Sequence, residues 1–417
     1  MSKTAVGRDY EQDFRVAFQE AVRRRLRSDH PICAELSGGM DSPSIVCVAD
    51  QIARSSSEIP AIHTLSFYDD SEPHADERPY FTKVEEKLGR VGCHIDIRNQ
   101  EIFRFDQNDR FASMPGCVSG RTQEFNCKLI RFSQSHQIRV VLSGIGGDEM
   151  MGGVPSPIPE LQDLLVQFKF RDFAHKLKLW ALNKRVPWFH LFGEAIVGFL
   201  SLESFRQHQH LQTATWLRSD YYRQHSSASG GRVRFEGSLP SFRAKVGALD
   251  ILRRQLATKG LPADVPYERR YPFLDRSLLE FLFAIPRDQF VRPGHRRSLM
   301  RRALAGIVPS EVLERRRKAY AARGPRIAIS NEWNSLSALS QNMVSAQLGI
   351  VDEATFREAL VEIRNSDQVP LIRLMRTVLL EAWLRNLARH RVLIDCNDVG
   401  IPTISSSAVF PTLASIP

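Results

Sequence analysis

Two short segments gather the residue types that grip a phosphate chain. Ser37-Gly38-Gly39-Met40-Asp41-Ser42 sets two glycines and two serines around one carboxylate. Ser143-Gly144-Ile145-Gly146-Gly147-Asp148-Glu149 brings three glycines, a serine and an acidic pair. Glycine lets successive backbone N–H groups close in on an anion. Ser37 and Ser42 add hydroxyl donors, and Asp41 is a hard oxygen ligand suited to magnesium held between protein and phosphates. Each segment alone has a plainer reading. The first serves equally as a glycine turn with Asp41 or Ser42 capping a helix, and the second as a surface loop with a solvated Asp-Glu pair. Facing each other, they place Asp41 and Asp148 on one magnesium across the phosphates of one ATP. The chain contains neither a lysine-bearing G-x-x-x-x-G-K-[ST] loop nor a G-x-S-x-G elbow.

The flanking pattern supplies the elements that must hold these loops. Residues 10–28 read as a helix with Phe14, Ala17, Phe18 and Ala21 on one buried face. Pro31–Leu36 is a short apolar strand running into the first glycine segment, and Ile45, Val46, Val48 and Ala49 follow in a helix. The alternation continues with a strand at Ala61–Phe67, a helix at Glu77–Leu88, a strand at Cys93–Ile97, a helix at Gln123–Ser135 and a strand at Ile138–Leu142. Strands alternating with helices predict an α/β fold, a parallel sheet with helices on both faces. Ligands in such sheets bind beyond the carboxyl ends of the strands, where both glycine segments fall.

Beyond the proline-rich connector Val154–Pro159 the strand pattern stops. Leu161, Leu164, Leu165 and Phe168 form one helical stripe, and Phe173, Leu177, Trp180 and Ala181 another. The expected organisation is an ATP-binding α/β domain over 1–155, a mainly helical part over 156–399 and an uncharged, flexible tail over 400–417. The five tryptophans are expected in the core rather than against a cofactor.

Composition narrows the class. A chain of 417 residues with 43% hydrophobic residues buries a full core, and it lacks the apolar run of about 18 residues that a membrane helix needs. With no secretory signal at the N-terminus, a cytoplasmic location is expected. The six cysteines show no C-x-x-C pair and no cluster with histidine, so they read as small buried hydrophobes. The net charge of +10 fits a nucleic-acid surface, an acidic substrate or bound phosphates. Arginines cluster at 23–27, 296–302 and 315–317; the first cluster reads as a solvated helix face. His295, beside the second, reads as a partly exposed structural histidine with substrate contact as the alternative.

SGGMDS paired with SGIGGDE resembles the synthetase domain of the asparagine synthetase family, within the PP-loop ATP pyrophosphatases. The resemblance extends through Arg270-Tyr271-Pro272-Phe273-Leu274-Asp275, the stretch Arg296–Leu304 and Arg316-Arg317-Lys318, and covers residues 10–390. It implies an AMP-forming amide synthetase that uses ATP and Mg2+. Leu36 and Phe67 would border the adenine site, with Ser37, Gly38, Gly39, Asp41, Ser42, Ser143 and Gly144 around the phosphates. Asp41 and Asp148 would be the magnesium ligands. The family has a lysine in the segment matching Arg297, where a cation steadies charge developing at phosphorus; Arg297 keeps the charge but cannot carry a proton, and Lys318 is the nearest alternative.

Departures from the family pattern shape the expected substrates. Full-length members begin with a cysteine-dependent glutaminase domain, whereas Ser2 follows Met1 here, so glutamine hydrolysis by that route is not expected. Asparagine synthetases carry a glutamate where this loop has Ile145. Gly152–Pro155 and Arg315–Tyr320 look more like the branch that closes lasso peptides. There an Asp or Glu side chain of a precursor peptide is adenylated and attacked by the peptide's own amine, and a protease and a leader-peptide-binding protein act alongside. The alternatives are synthesis from free aspartate and ammonia, adenylation of a base in transfer RNA, and a nucleotide-binding partner without catalysis. The second glycine loop and the absent cysteine pairs weigh against transfer RNA, and no membrane partner is expected.

Overall fold

The computed structural model describes residues 9–70, 76–98, 103, 111–115, 120–153, 156–200, 214–225, 239–257, 265–315, 328–365 and 370–393. The expected tail over 400–417, the pair Val154-Pro155 and Arg316, Arg317 and Lys318 lie outside them.

The short apolar runs become β1 (Ile32–Glu35), β2 (Ile62–Tyr68), β3 (Cys93–Asp96) and β4 (Val140–Leu142). With β5 (Glu268–Arg270) they form one sheet in the order β3-β2-β1-β4-β5, parallel at every pairing. The strand order reverses between β1 and β4, so the crevice beyond their carboxyl ends lies between the two glycine loops. The fifth strand corrects the expectation that strands end before the proline-rich connector. Glu-Arg-Arg carries no apolar alternation, and only pairing with β4 makes it a strand.

Alternation along the strands sorts the core. Ile32, Ala34, Leu36, Ile62, Val140 and Leu142 face helices α1 (Tyr10–Arg25) and α2 (Asp41–Arg54). Cys33, Leu65 and Val141 face α4 (Gly120–Ser135) through Leu129 and Phe132 on the opposite side. Helix α3 (Arg78–Leu88) closes the first face with Phe81 and Val84. The expected stripe of α1 is in place, with Phe14, Phe18 and Ala21 at 0% exposure. Each fully buried phenylalanine contributes on the order of 2 kcal/mol.

The same core runs on into Leu161, Phe173, Trp180 and Phe290, so side chains from both sides of residue 155 share it. A second core gathers Trp216, Leu336, Phe356 and Leu374. Three expectations need correction here. Phe168 lies beyond the helix Ile158–Val166 at a positive φ of 55° and stands 78% exposed, so its stripe stops at Leu165. Trp188 is exposed as well, against a neighbouring Phe189 and Phe192 rather than the core. The arginines closing α1 are not simply solvated, because Arg24 and Arg25 both reach buried Asp275 at the start of the helix Arg276–Ala284. Among the described cysteines, Cys33 and Cys47 are buried and Cys127 is exposed. Burial pushes the Cys47 thiol up to about 12, so it is an inert packing group.

Candidate active site

The first glycine loop leaves β1 and is braced by its own serines. Ser37 N–H donates to Ser42 Oγ at 2.8 Å, the two hydroxyls lie 2.9 Å apart, and Gly39 N–H donates to Ser37 Oγ at 3.2 Å. The hydroxyls expected as phosphate donors thus fix the turn that opens α2. Met40, not Asp41 or Ser42, occupies the N-cap position, and no side chain caps the helix. Asp41 stands in the first turn, where the helix dipole favours negative charge.

The second loop leaves β4 and packs directly on the first. A methyl group on Gly147 would fall 2.3 Å from Asp41 Cγ, and one on Gly144 would fall 3.1 Å from the Ser42 nitrogen. Glycine at 147 leaves the space that the Asp41 carboxyl occupies, and glycine at 144 permits a tight approach to the first loop's backbone. Gly146 turns the chain at φ +97°, and Asp148 follows at once in the one-turn helix α5 (Gly147–Met150).

The two carboxylates meet on one cation. Arg297 donates from Nη2 to Asp41 Oδ2 at 2.7 Å and also to Asp148 Oδ1. The arginine is 5% exposed and sits at φ 54°, ψ 39°, the left-handed region, just before the helix Ser298–Ala303. A non-glycine residue held there stores on the order of 1 kcal/mol of strain, which the double ion pair helps to maintain. Arg296 lies within electrostatic reach of Arg297, Asp148, Arg315 and Asp41; burial first, then the neighbouring Arg297, pulls its pKa below the usual arginine value.

The remaining expected residues divide. Ser143 is buried, and its N–H is taken up by the Arg270 carbonyl at 3.0 Å. Leu36 is 2% exposed in the core on the α1–α2 side, with its N–H on the Leu65 carbonyl at 2.8 Å. Phe67 packs on the other face of the sheet against Phe125, ring centroids 4.3 Å apart. The structure thus does not bring the Leu36 and Phe67 side chains together. His295 is exposed and pairs through its backbone with Arg292. Lys318 lies outside the described residues.

Sequence reasoning missed two members of the site. Glu77 Oε2 accepts from Gly38 N–H at 3.1 Å, and Arg315 Nη1 donates to the Gly38 carbonyl at 2.6 Å and to Glu77 Oε1 at 3.0 Å. Arg315 heads the basic run already noted, which was a pointer; Glu77 stood only as the start of a helix.

Beside Asp148 and Glu149 opens a cavity of about 330 Å3 walled by Met150, Phe290, Lys245 and Arg287. Lys245 donates to the Leu282 carbonyl at 2.8 Å and lies 4.1 Å from the Phe290 ring centroid. Burial pushes its pKa down to about 7.

The donor set to weigh for magnesium is Asp41 and Asp148, both of which are ion-paired to Arg297. Two hard carboxylates from different loops already converge on a single cationic group, and no cluster of three or more His, Cys, Asp or Glu gathers among the described residues. Asp41 and Asp148 would hold a cation whose other ligands come from phosphate and water.

The chain is 24% identical over 335 residues to asparagine synthetase [glutamine-hydrolyzing] 3 of Bacillus subtilis, covering 73% of this chain and 47% of that one. It is 30% identical over 140 residues to a putative asparagine synthetase 2 of Methanocaldococcus jannaschii, 32% of this chain and 24% of the relative. It is 22% identical over 417 residues to the amidase chry2 of Gibberella zeae, 86% of this chain and 59% of the relative. The chain thus spans between a quarter and three-fifths of the length of these relatives. A U34-tRNA thiolase from Methanococcus maripaludis, solved with its [4Fe-4S] cluster, aligns over 61% of this chain and 82% of its own at 13% identity, with a TM-score of 0.24. The sequence pattern of the family described as Asparagine synthase matches residues 13–385, a span that contains both glycine loops, Arg297 and Arg315, and the chain belongs to that family.

Proposed function

We propose that this chain is an ATP-dependent, AMP- and pyrophosphate-forming carbon–nitrogen ligase: it adenylates a carboxylate and passes the acyl group to an amine. The observation that carries the reading is the meeting of Asp41 and Asp148, from loops at adjacent strand ends, on buried Arg297. The α2 N-terminus and the glycine-spaced loops favour a phosphate chain in the crevice. Magnesium, when bound, would neutralise charge on the phosphates and so favour departure of pyrophosphate. Arg297 would supply a fixed positive charge to the α-phosphate, where negative charge grows as the carboxylate attacks. It cannot relay a proton, so its role is electrostatic. Glu149 and the cavity wall formed by Met150 and Phe290 leave room beside Asp148 for the acyl donor. Lys318 is proposed as a second cation for the acyl intermediate.

Within this class we favour an Asp- or Glu-type side-chain carboxylate of a precursor peptide, closed by the peptide's own amine into a lasso-type macrolactam. Ile145 supports it, because an apolar residue stands where free-aspartate enzymes carry a carboxylate. A leader-peptide-binding protein and a protease would then act with it, in the cytoplasm. The second reading is an asparagine synthetase that uses free aspartate and ammonia, supported by the similarity to the asparagine synthetase of Bacillus subtilis.

Pyrophosphate release separates the two. One reaction holds MgATP with aspartate and ammonia; the other holds MgATP with a candidate precursor peptide that carries an Asp or Glu side chain and a free N-terminal amine. Release with the peptide and a mass loss of one water establishes macrolactam closure. Release with aspartate alone establishes the second reading, and silence in both rejects the substrates proposed here.

A further inference from the structure

The first loop lacks the lysine that many phosphate loops use, which leaves open what cation would meet the pyrophosphate. Arg315 stands at that place. Its side chain is 8% exposed, its guanidinium stacks 4.1 Å from the Tyr80 ring centroid, and its own carbonyl is held by Arg301 Nη2 at 3.0 Å. The loop packs directly against it: a methyl group on Gly38 would fall 2.7 Å from Arg315 Nη1 and 2.8 Å from Glu77 Cβ. The helix Ser310–Glu314, which ends at Arg315, packs on α3, at whose start Glu77 sits.

The Glu77 carboxylate bridges two donors, Gly38 N–H through one oxygen and Arg315 Nη1 through the other. One loop amide and one guanidinium on a single anionic group is the donor set by which phosphate oxygens are held. We propose that Glu77 is a built-in stand-in for a phosphate, and that pyrophosphate displaces it and takes over Gly38 N–H and Arg315. This rests on the reading of the loop as a nucleotide site and adds a binding residue, Arg315, and a gate, Glu77. The gate keeps a buried cation and a loop amide satisfied while the site is empty, since leaving either unpaired is costly. It also makes the nucleotide compete with an internal carboxylate. In the loaded site Glu77 moves toward solvent, which its 21% exposure permits.

The sign of one measurement separates a gate from a support. Titration calorimetry of MgATP into the full chain is run for wild type, Glu77→Gln, Glu77→Ala and Arg315→Met, with circular dichroism and a melting curve for each. The gate requires both Glu77 variants to bind MgATP more tightly than wild type, by about tenfold for Glu77→Ala. Arg315→Met should bind at least tenfold more weakly while keeping its fold. Tighter binding only in the Glu77 variants, with none detected in wild type, also supports the gate. Weaker binding in the Glu77 variants makes Glu77 a support and overturns the inference, as does unchanged binding in Arg315→Met; the nucleotide site itself then stands. No binding by any of the four proteins overturns both the inference and the nucleotide reading beneath it.

Discussion

Replacing Arg297 with methionine tests the two-loop site through stability alone. The substitution keeps an unbranched side chain of similar length but leaves Asp41 and Asp148 facing each other without their shared cation. Removing one partner of a buried ion pair costs about 3–5 kcal/mol. The Arg297 side chain is 6% exposed and that of Asp41 14%, so this half of the pairing counts nearly in full; Asp148, at 32%, is partly screened. A loss of about 3 kcal/mol in metal-free buffer is therefore expected. Two unneutralised carboxylates also make a better cation site. At magnesium concentrations about 100 times the dissociation constant, linkage returns about 2.7 kcal/mol, which nearly cancels the loss. The assay is urea denaturation of wild type and Arg297→Met, each with and without magnesium. Wild type should respond weakly to the metal and the variant strongly. A loss under about 1 kcal/mol, or a loss that magnesium leaves untouched, would refute the claim that Arg297 neutralises a carboxylate pair able to hold the metal.

Three further outcomes follow from the same geometry. Asp41→Ala and Asp148→Ala should each abolish magnesium-dependent pyrophosphate release while preserving the circular dichroism spectrum; full activity in either removes that carboxylate from the metal site. Gly147→Ala places a methyl group against the Asp41 carboxyl and should cost about 1–3 kcal/mol and most of the pyrophosphate release, because the carboxyl must leave its position on Arg297; a melting temperature and activity equal to wild type would contradict the close packing. Lys245, with its pKa pushed down to about 7 by burial, is neutral when folded and protonated when unfolded between pH 7 and the ordinary lysine value. The unfolded chain then binds the extra proton, so this group makes stability rise with pH above 7, by on the order of 2 kcal/mol to pH 9. Denaturation of wild type and Lys245→Met at both pH values checks it, since the variant should lack that rise.

How far the sequence led depended on the range of the interactions. Strand, glycine turn and helix are set by neighbours, so the two loops and four of the strands were legible in hydrophobic period and turn chemistry. The meeting of Asp41 and Asp148 followed from two loops at strand ends, but only the adjacency of β1 and β4 makes it happen. The contacts of Glu77 and Arg315 could not be read, because the pair spans 238 positions and Arg315 reaches Gly38 across 277. Strand β5 has no local pattern and exists through its pairing with β4. Leu36 and Phe67 show the opposite limit: a one-residue offset between paired strands sends their side chains to opposite faces of the sheet.

The central claim is that a carboxylate attacks the α-phosphate of ATP in this crevice. Its most direct test is oxygen-isotope transfer: the acyl donor is labelled with oxygen-18 in its carboxyl group, turned over with MgATP and the amine, and the nucleotide product is weighed. Acyl adenylation predicts AMP carrying one labelled oxygen. ADP with labelled inorganic phosphate, or unlabelled AMP, would contradict it.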